Sequence, residues 1–442
     1  MKIGARIAAA AEVLEDILER HLPAGMALSD WGRKHRFAGS GDRSAIGNLV
    51  YDVLRRRHSV AACMGEATPR ALAIGASRAA FKLSADDVVA AANDGSPHSI
   101  GPLSDAEVAG LSRDPGADLP AHVQGDYPEV WHDSLVRTFG ERLIEEMVAF
   151  GERAPVGVRA NELKADRAKV LKALAKFSPE PARYALEGIV VPHPAGGRRT
   201  PNVESEPAHG KGWFEVQDEG SQIVATLSGA GPRMQVLDLC AGAGGKSLAI
   251  GAQMRNTGQI YAYDRDASQL RPIFERLKRA GVRNVQTIPP GDEAALLEFK
   301  ERFDVVFVDA PCSGSGTWRR RPDAKWRLSA ENLATRLQDQ QTVLSLGRQL
   351  VKPGGRLVYV TCSILSEENI DQSTWFLSQA PEFTPLPYAA IWQATIGEDV
   401  PASADGREDS LLLTPASHGT DGFYFAAFQK SLKTEKSMST DG

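Results

Sequence analysis

Apolar residues recur with a helical period at the start of the chain. Val13, Leu14, Ile17, Leu18 and Leu22 fall on one face, and Pro23 and Gly25 end the run. Ile46, Leu49, Val50, Val53 and Leu54 repeat the i, i+3, i+4, i+7, i+8 spacing. That run finishes in Arg55, Arg56, Arg57 and His58, cations suited to the negative end of a helix dipole. No strand-like alternation stands out before about residue 120, which predicts an all-α domain. Mixed elements follow: a helix over 131–150, a strand at 156–161, a helix over 166–177 and a strand at 188–191, together a small α+β module. After Gly212, short apolar runs at 236–240, 260–263, 285–288, 305–308 and 357–360 are separated by helix-length stretches. This alternation predicts an α/β domain with a doubly wound, mostly parallel sheet. Runs at 411–413 and 423–428 add two antiparallel edge strands, and 396–410 reads as a flexible loop. The expected divisions are 1–125, 126–205, 206–430 and a disordered tail at 431–442.

Composition narrows the picture. The 442 residues carry 51 Lys+Arg against 56 Asp+Glu, a net charge of -5, so any anion-binding surface is local rather than a uniform basic coat. From Ser84 to Trp131 there are nine acids and one base, Arg113, which suits a connecting or peripheral region rather than a nucleic-acid contact. The four cysteines, Cys63, Cys240, Cys312 and Cys362, form no C-x-x-C pair, which argues against a zinc ribbon or a disulfide framework. No apolar run approaches the ~20 residues that span a bilayer. Lys2 and Arg6 are followed too soon by Glu12, Glu15 and Asp16 for a signal peptide. A cytoplasmic location is expected.

Open α/β sheets bind ligands beyond the carboxyl ends of their strands. The first strand candidate of the α/β region ends in DLCAGAGGKS (238–247), whose glycines admit a ligand to the backbone and open the next helix. A P-loop would use Gly245, Lys246 and Ser247, and the run ending at Asp309 resembles its partner strand, but its first glycine falls on Cys240. A dinucleotide fingerprint would use Gly242 and Gly244 but finds Ser247 at its third glycine. An S-adenosylmethionine site needs no phosphate cradle. Asp264 is then placed to grip the ribose hydroxyls and Asp292 the adenine edge. One aspartate after a strand is ordinarily a helix cap. Three at successive strand ends, Asp238, Asp264 and Asp292, favour the third reading.

The fourth run leads into DAPCSGSG (309–316) and the fifth into VTCS (360–363). In a sheet of this kind the two are expected as neighbours, and adjacent strands lie ~4.8 Å apart, so Cys312 and Cys362 can face one substrate. Apolar filler is the ordinary role of a buried cysteine and is kept for Cys63 and Cys240. A methyl donor, two thiols and a carboxyl suit one reaction. Carbon 5 of cytosine is a poor nucleophile until a thiolate adds to carbon 6 and makes it enamine-like. Asp309 near N3 lowers the cost of the developing charge, and a second thiol assists release. The attacking thiol, ordinarily with a pKa of about 8.5, needs activation by its surroundings.

These segments, with WFEVQDEGSQ (213–222), LDLCAGAGGK (237–246), RRRPDAKW (319–326), VYVTCS (358–363), EEN (367–369) and DGFYFAAF (421–428), carry a resemblance over about 126–430. The chain resembles the RsmB/Nop/Sun family of RNA (cytosine-5)-methyltransferases, in particular its bacterial 16S ribosomal RNA branch. The resemblance implies a Rossmann-like class I methyltransferase domain that uses S-adenosylmethionine. It implies cofactor contacts from Cys240, Ala241, Gly242, Ala243, Gly244, Gly245 and Lys246, and from Asp264, Asp292 and Asp309. Cys362 is then the nucleophile and Cys312 the aid to product release. DNA cytosine methyltransferases also place a Pro-Cys here, and there that cysteine attacks; the Thr-Cys-Ser at 361–363 favours the RNA family. Two positions depart from the family: Ala243 stands where a proline is usual, leaving a less rigid loop, and Arg321 where a histidine is common. GDR (41–43) leading into LVYDVLR (49–55) resembles the NusB-like helical RNA-binding domain of the same branch and favours a ribosomal over a transfer-RNA substrate.

Residues 318–327 hold Arg319, Arg320, Arg321, Lys325 and Arg327 among Trp318 and Trp326. Phosphate contact and base stacking are expected there, with Arg319, Arg320, Arg321 and Lys325 on RNA. The 126–205 module is expected to bind RNA too, although most of its bases (Arg159, Lys164, Arg167, Lys169, Lys172, Lys176) read as a solvated face. The target cytosine must be unpaired or flipped out. The expected partner is RNA, with no membrane and no metal, and the chain is expected to be a monomer. Other readings are the same chemistry on transfer RNA or another ribosomal site, a P-loop NTPase, and a non-catalytic RNA-binding scaffold.

Overall fold

The first apolar stripe forms the helix Ile3–Leu18, which buries Ile7, Val13, Leu14 and Ile17. The second forms Ser40–Arg55, burying Ile46, Leu49, Val50, Val53 and Leu54. Both pack on the helix Pro69–Phe81. That helix begins with Thr68 accepting from the Ala71 N–H at 3.2 Å and with Pro69 where no N–H is needed. The computed structural model describes residues 1–114, 116, 118–193 and 201–432. The acidic stretch is part of the helical fold rather than a connector, because its acids serve as helix caps. Ser84 with Asp87 and Ser104 with Glu107 form reciprocal capping boxes on Ala85–Ala92 and Asp105–Ser112. Glu107 also pairs with Arg70 at 2.7 Å. Buried Asp126 accepts from the N–H groups of His58 and Ser59 at the start of Arg57–Met64.

The described residues divide into two units: those of 1–154 with 193, 201 and 317–328, and those of 155–192 with 202–316 and 329–432. These divisions differ from the expected ones. The helices His132–Phe139 and Leu143–Phe150 belong to the helical unit, while the small sheet belongs to the other. That sheet has antiparallel order β2-β3-β1-β4, formed by β1 (Val156–Ala160), β2 (Glu180–Pro181), β3 (Gly188–Val191) and β4 (Phe214–Val216). β4 lies beyond residue 205 and joins by pairing Phe214 with Ala160.

The large sheet contains β5 (Gln235–Asp238), β6 (Gln259–Ala262), β7 (Val285–Thr287), β8 (Phe303–Asp309), β9 (Val351–Thr361), β10 (Phe383–Leu386), β11 (Leu411–Leu413) and β12 (Phe423–Lys430). Its order is β10-β12-β9-β8-β5-β6-β7, with β11 on β12. The strands from β5 to β9 are parallel, and β12 runs antiparallel to β9. Val236, Val305, Phe307, Val358, Val360 and Phe425 are fully enclosed, as strands covered on both faces require. Strand order reverses between β5 and β8, which places the ligand crevice at their carboxyl ends. The loop 396–410 is fastened rather than flexible: the Leu412 N–H donates to Ser403 Oγ at 2.7 Å and the Ala404 N–H to the Leu412 carbonyl at 2.9 Å. Among the described residues no helix is long and apolar enough to cross a membrane. The tail 433–442 lies outside the described residues.

Candidate active site

β5 delivers Asp238 into the interior, where it accepts the Ser247 hydroxyl at 2.6 Å. Between them the loop turns through Gly242 (φ +50) and Gly244 (φ +80). A Cβ on Gly244 would lie 2.4 Å from the Ile273 side chain, so only glycine fits. Arg276 donates to the Ala243 carbonyl at 2.9 Å and is itself held by buried Glu215 at 3.0 Å. A guanidinium thus braces the position where the family usually has proline. At the end of β6, Asp264 accepts from the N–H groups of Gly242 and Asp266, each at 2.9 Å. These groups border a cavity of about 790 Å³ lined by Cys240, Gly242, Asp264, Asp309 and Pro311. Its far wall is the helix Ala330–Leu350, which contributes Arg336 and Asp339, an ion pair at 3.0 Å.

Asp292 departs from expectation. It is exposed, caps Glu293–Leu297 by accepting from the Ala295 N–H at 3.0 Å, and is not among the cavity-lining residues, whereas Glu293 is. The ordinary role of an aspartate after a strand prevails there. Ala241, Ala243, Gly244, Gly245 and Lys246 belong to the same loop, which carries Cys240 and Gly242 to the cavity. The Lys246 ammonium meets Asp309 at 2.5 Å, and Ser247 is bonded to Asp238. The lysine and hydroxyl of a P-loop ending are both engaged by acids, contrary to the phosphate reading. Burial pulls the Lys246 pKa down, but the charge and hydrogen bond of Asp309 outweigh it and hold the group as a cation.

β8 and β9 pair with Asp309 opposite Val360. Just past their ends Cys312 Sγ and Cys362 Sγ lie 3.3 Å apart, both half-buried. The loop between is pinned by glycines: the Gly316 N–H donates to the Cys362 carbonyl at 2.9 Å and the Gly422 N–H to the Gly316 carbonyl at 2.8 Å. A Cβ on Gly316 would meet the Gly422 oxygen at 2.2 Å. A buried polar cluster supports the sulfurs. Glu368 accepts from the Ser313 N–H (2.7 Å), the Ser313 hydroxyl (2.5 Å) and the Gln340 amide (3.0 Å). Asn369 donates to the Ser363 carbonyl at 3.0 Å. The contact with Cys362, then burial, then the Glu368 charge push the Cys312 thiol well above the usual range. In the sequence Glu368 stood out only within the EEN run at 367–369, and Gln340 left no trace there.

Residues 317–328, which carry the basic run, belong to the helical unit. Arg319 and Lys325 are buried there, which removes them as RNA contacts. The Lys325 ammonium donates to the Arg55 carbonyl at 3.0 Å and to the Asp126 carbonyl. Burial lowers its pKa to about 8. Trp318 is buried as well, and Trp326 donates to the Leu54 carbonyl at 2.7 Å, its ring edge-on to His58. Arg320 is half-buried and Arg321 exposed.

A parallel sheet that reverses between β5 and β8, with a cavity and paired functional groups at its carboxyl edge, is a Rossmann-like fold of the kind class I methyltransferases use. Residues 227–429 match the family model described as 16S rRNA methyltransferase RsmB/F. A probable ribosomal RNA small subunit methyltransferase B of Synechocystis is 31% identical over 311 residues, 70% of this chain and 68% of that protein. The ribosomal RNA small subunit methyltransferase B of Salmonella paratyphi B is 30% identical over 71% of this chain and 65% of its own length. A solved methyltransferase homolog from Pyrococcus horikoshii superposes with a TM-score of 0.57 at 28% identity, covering 70% of this chain and 97% of that one. The chain belongs to the RsmB/F family of ribosomal RNA methyltransferases.

Proposed function

We propose that the chain methylates carbon 5 of a cytosine in 16S ribosomal RNA, with Cys362 as nucleophile. The observation that carries this reading is the 3.3 Å approach of Cys312 and Cys362 beside the Lys246–Asp309 pair. S-adenosylmethionine, when bound, supplies an electrophilic methyl group. The glycine turns, Asp264 and the cavity of about 790 Å³ fit its size and its ribose. Cys362 adds to carbon 6, and Lys246 supplies a cation for the thiolate. Asp309, held by Lys246, offers a polar contact for the ring edge at N3. After methylation the C5 proton leaves, its electron pair re-forms the C5–C6 double bond, and the C6–S bond breaks. Cys312 is in contact with the departing sulfur.

Labelled S-adenosylmethionine and 16S RNA test the assignment. Cys362→Ala is expected to abolish transfer. Cys312→Ala is expected to accumulate a protein–RNA adduct that survives a denaturing gel. Methyl transfer by Cys362→Ala at the unmodified rate would sink the nucleophile assignment.

A further inference from the structure

Behind the two sulfurs lies a buried acid that the chemistry above leaves without a task. Glu368 follows Cys362 by six residues, and its carboxylate is met by donors rather than by solvent. Two of those donors, the N–H and hydroxyl of Ser313, belong to the residue that follows Cys312. The third, Gln340, also donates to the Pro311 carbonyl at 3.0 Å, so one amide holds both the acid and the residue preceding Cys312. The Cys312 loop is therefore gripped on both sides of the cysteine. An enclosed carboxylate raises the cost of a second negative charge nearby. The site's cation, Lys246, is placed on Asp309 instead.

Resting on the methyltransferase reading, we propose that Glu368 is a positioning residue that fixes Cys312 and keeps it a thiol, ready to donate its S–H to the departing sulfur of Cys362. In that step the C5 proton passes to water and the C5–H electron pair closes the ring double bond. The C6–S pair stays on the Cys362 sulfur, whose charge the Cys312 S–H meets by hydrogen bonding.

Alkylation by iodoacetamide across pH, mapped to Cys312 by peptide mass spectrometry in the full chain, reads this thiol without RNA or methyl donor. Cys312 is expected to react only well above the ordinary thiol range, and Glu368→Gln to move its midpoint down by about one unit. Glu368→Asp, which keeps the charge, is expected to recover most of the difference. Turnover with RNA is expected to show severalfold more covalent adduct for Glu368→Gln, while calorimetry gives S-adenosylmethionine affinity within about twofold. A Glu368→Gln alkylation profile superimposed on that of the unmodified chain, with donor affinity retained, overturns the proposal. If the variant does not fold, the unmodified chain decides, since half-modification of Cys312 at pH 8 or below overturns it equally. Methyl transfer by the unmodified chain is read in a separate assay, so a failure of the methyltransferase reading is seen apart from a failure of the Glu368 role.

Discussion

Asp238 shows how burial acts on a single carboxyl. One oxygen takes the Ser247 hydroxyl, the other is enclosed without a donor, and the pKa rises from 3.8 to about 7. The folded chain therefore keeps a proton that the unfolded chain releases as pH climbs from about 4 to 7. Stability falls with rising pH through that window and levels off above it, by up to about 4 kcal/mol. Asp238→Asn cannot ionise, so urea unfolding at pH 5 and pH 8 is expected to show a smaller loss in the variant; equal losses would mean that Asp238 is ionised at both. At this scale the sequence was readable where chemistry depends on position along a strand. The spacing placed Asp264, Cys312 and Cys362 just past strand ends, and the structure has them there because those ends lie along one edge of the sheet. Asp292 misled because a cap and a ligand contact look alike until the helix start is seen. Glu368 was hidden because its partner, Ser313, is 55 positions away.

Among the elements, the segment 317–328 holds the sharpest contrast between charge and role. Five bases in ten residues promised a phosphate surface, yet the short helix Pro322–Arg327 turns Lys325 inward and leaves Arg321 and Arg327 outside. A one-dimensional charge count cannot say which side of a six-residue helix faces a core. The helix-period stripes were legible because Ile46 to Leu54 repeat over two turns; the acidic stretch was misjudged because capping acids count as net charge. Lys325→Met strips two buried carbonyls of their donor and is expected to cost about 2–3 kcal/mol in thermal or urea unfolding. It is expected to leave the salt dependence of RNA binding unchanged. Arg321→Ala is expected to do the reverse, lowering the slope of log K against log salt by about one with stability within about 0.5 kcal/mol. A lost slope for Lys325→Met without lost stability would return that lysine to the RNA surface.

For the whole molecule, sheet order explains why residues far apart in sequence meet. β8 and β9 are adjacent although the helix Ala330–Leu350 separates them, and alternation alone foretold that pairing. The small sheet's fourth strand escaped notice because Glu215 at its centre interrupts the apolar run between Phe214 and Val216. It matters more than its length suggests, since β4 bears Glu215. That carboxylate, 3% exposed, binds Arg276 and Arg279 on the helix Ile273–Ala280 that follows β6. Asn161 adds hydrogen bonds to the carbonyls of Gly212 and Ala280 at 2.8 and 2.7 Å. The same Arg276 braces the Ala243 carbonyl, so the small sheet and the glycine-rich loop after β5 share one arginine. Glu215→Ala leaves two guanidinium groups facing an apolar gap and is expected to cost about 3–5 kcal/mol in urea unfolding. S-adenosylmethionine affinity is expected to fall with it, because the brace on the loop loses its anchor. Glu215→Gln, which preserves size but not charge, is expected to lie between. Donor affinity unchanged in Glu215→Ala, with stability reduced as stated, would show that the loop holds its shape without the arginine and that Ala243 needs no substitute for the family's proline.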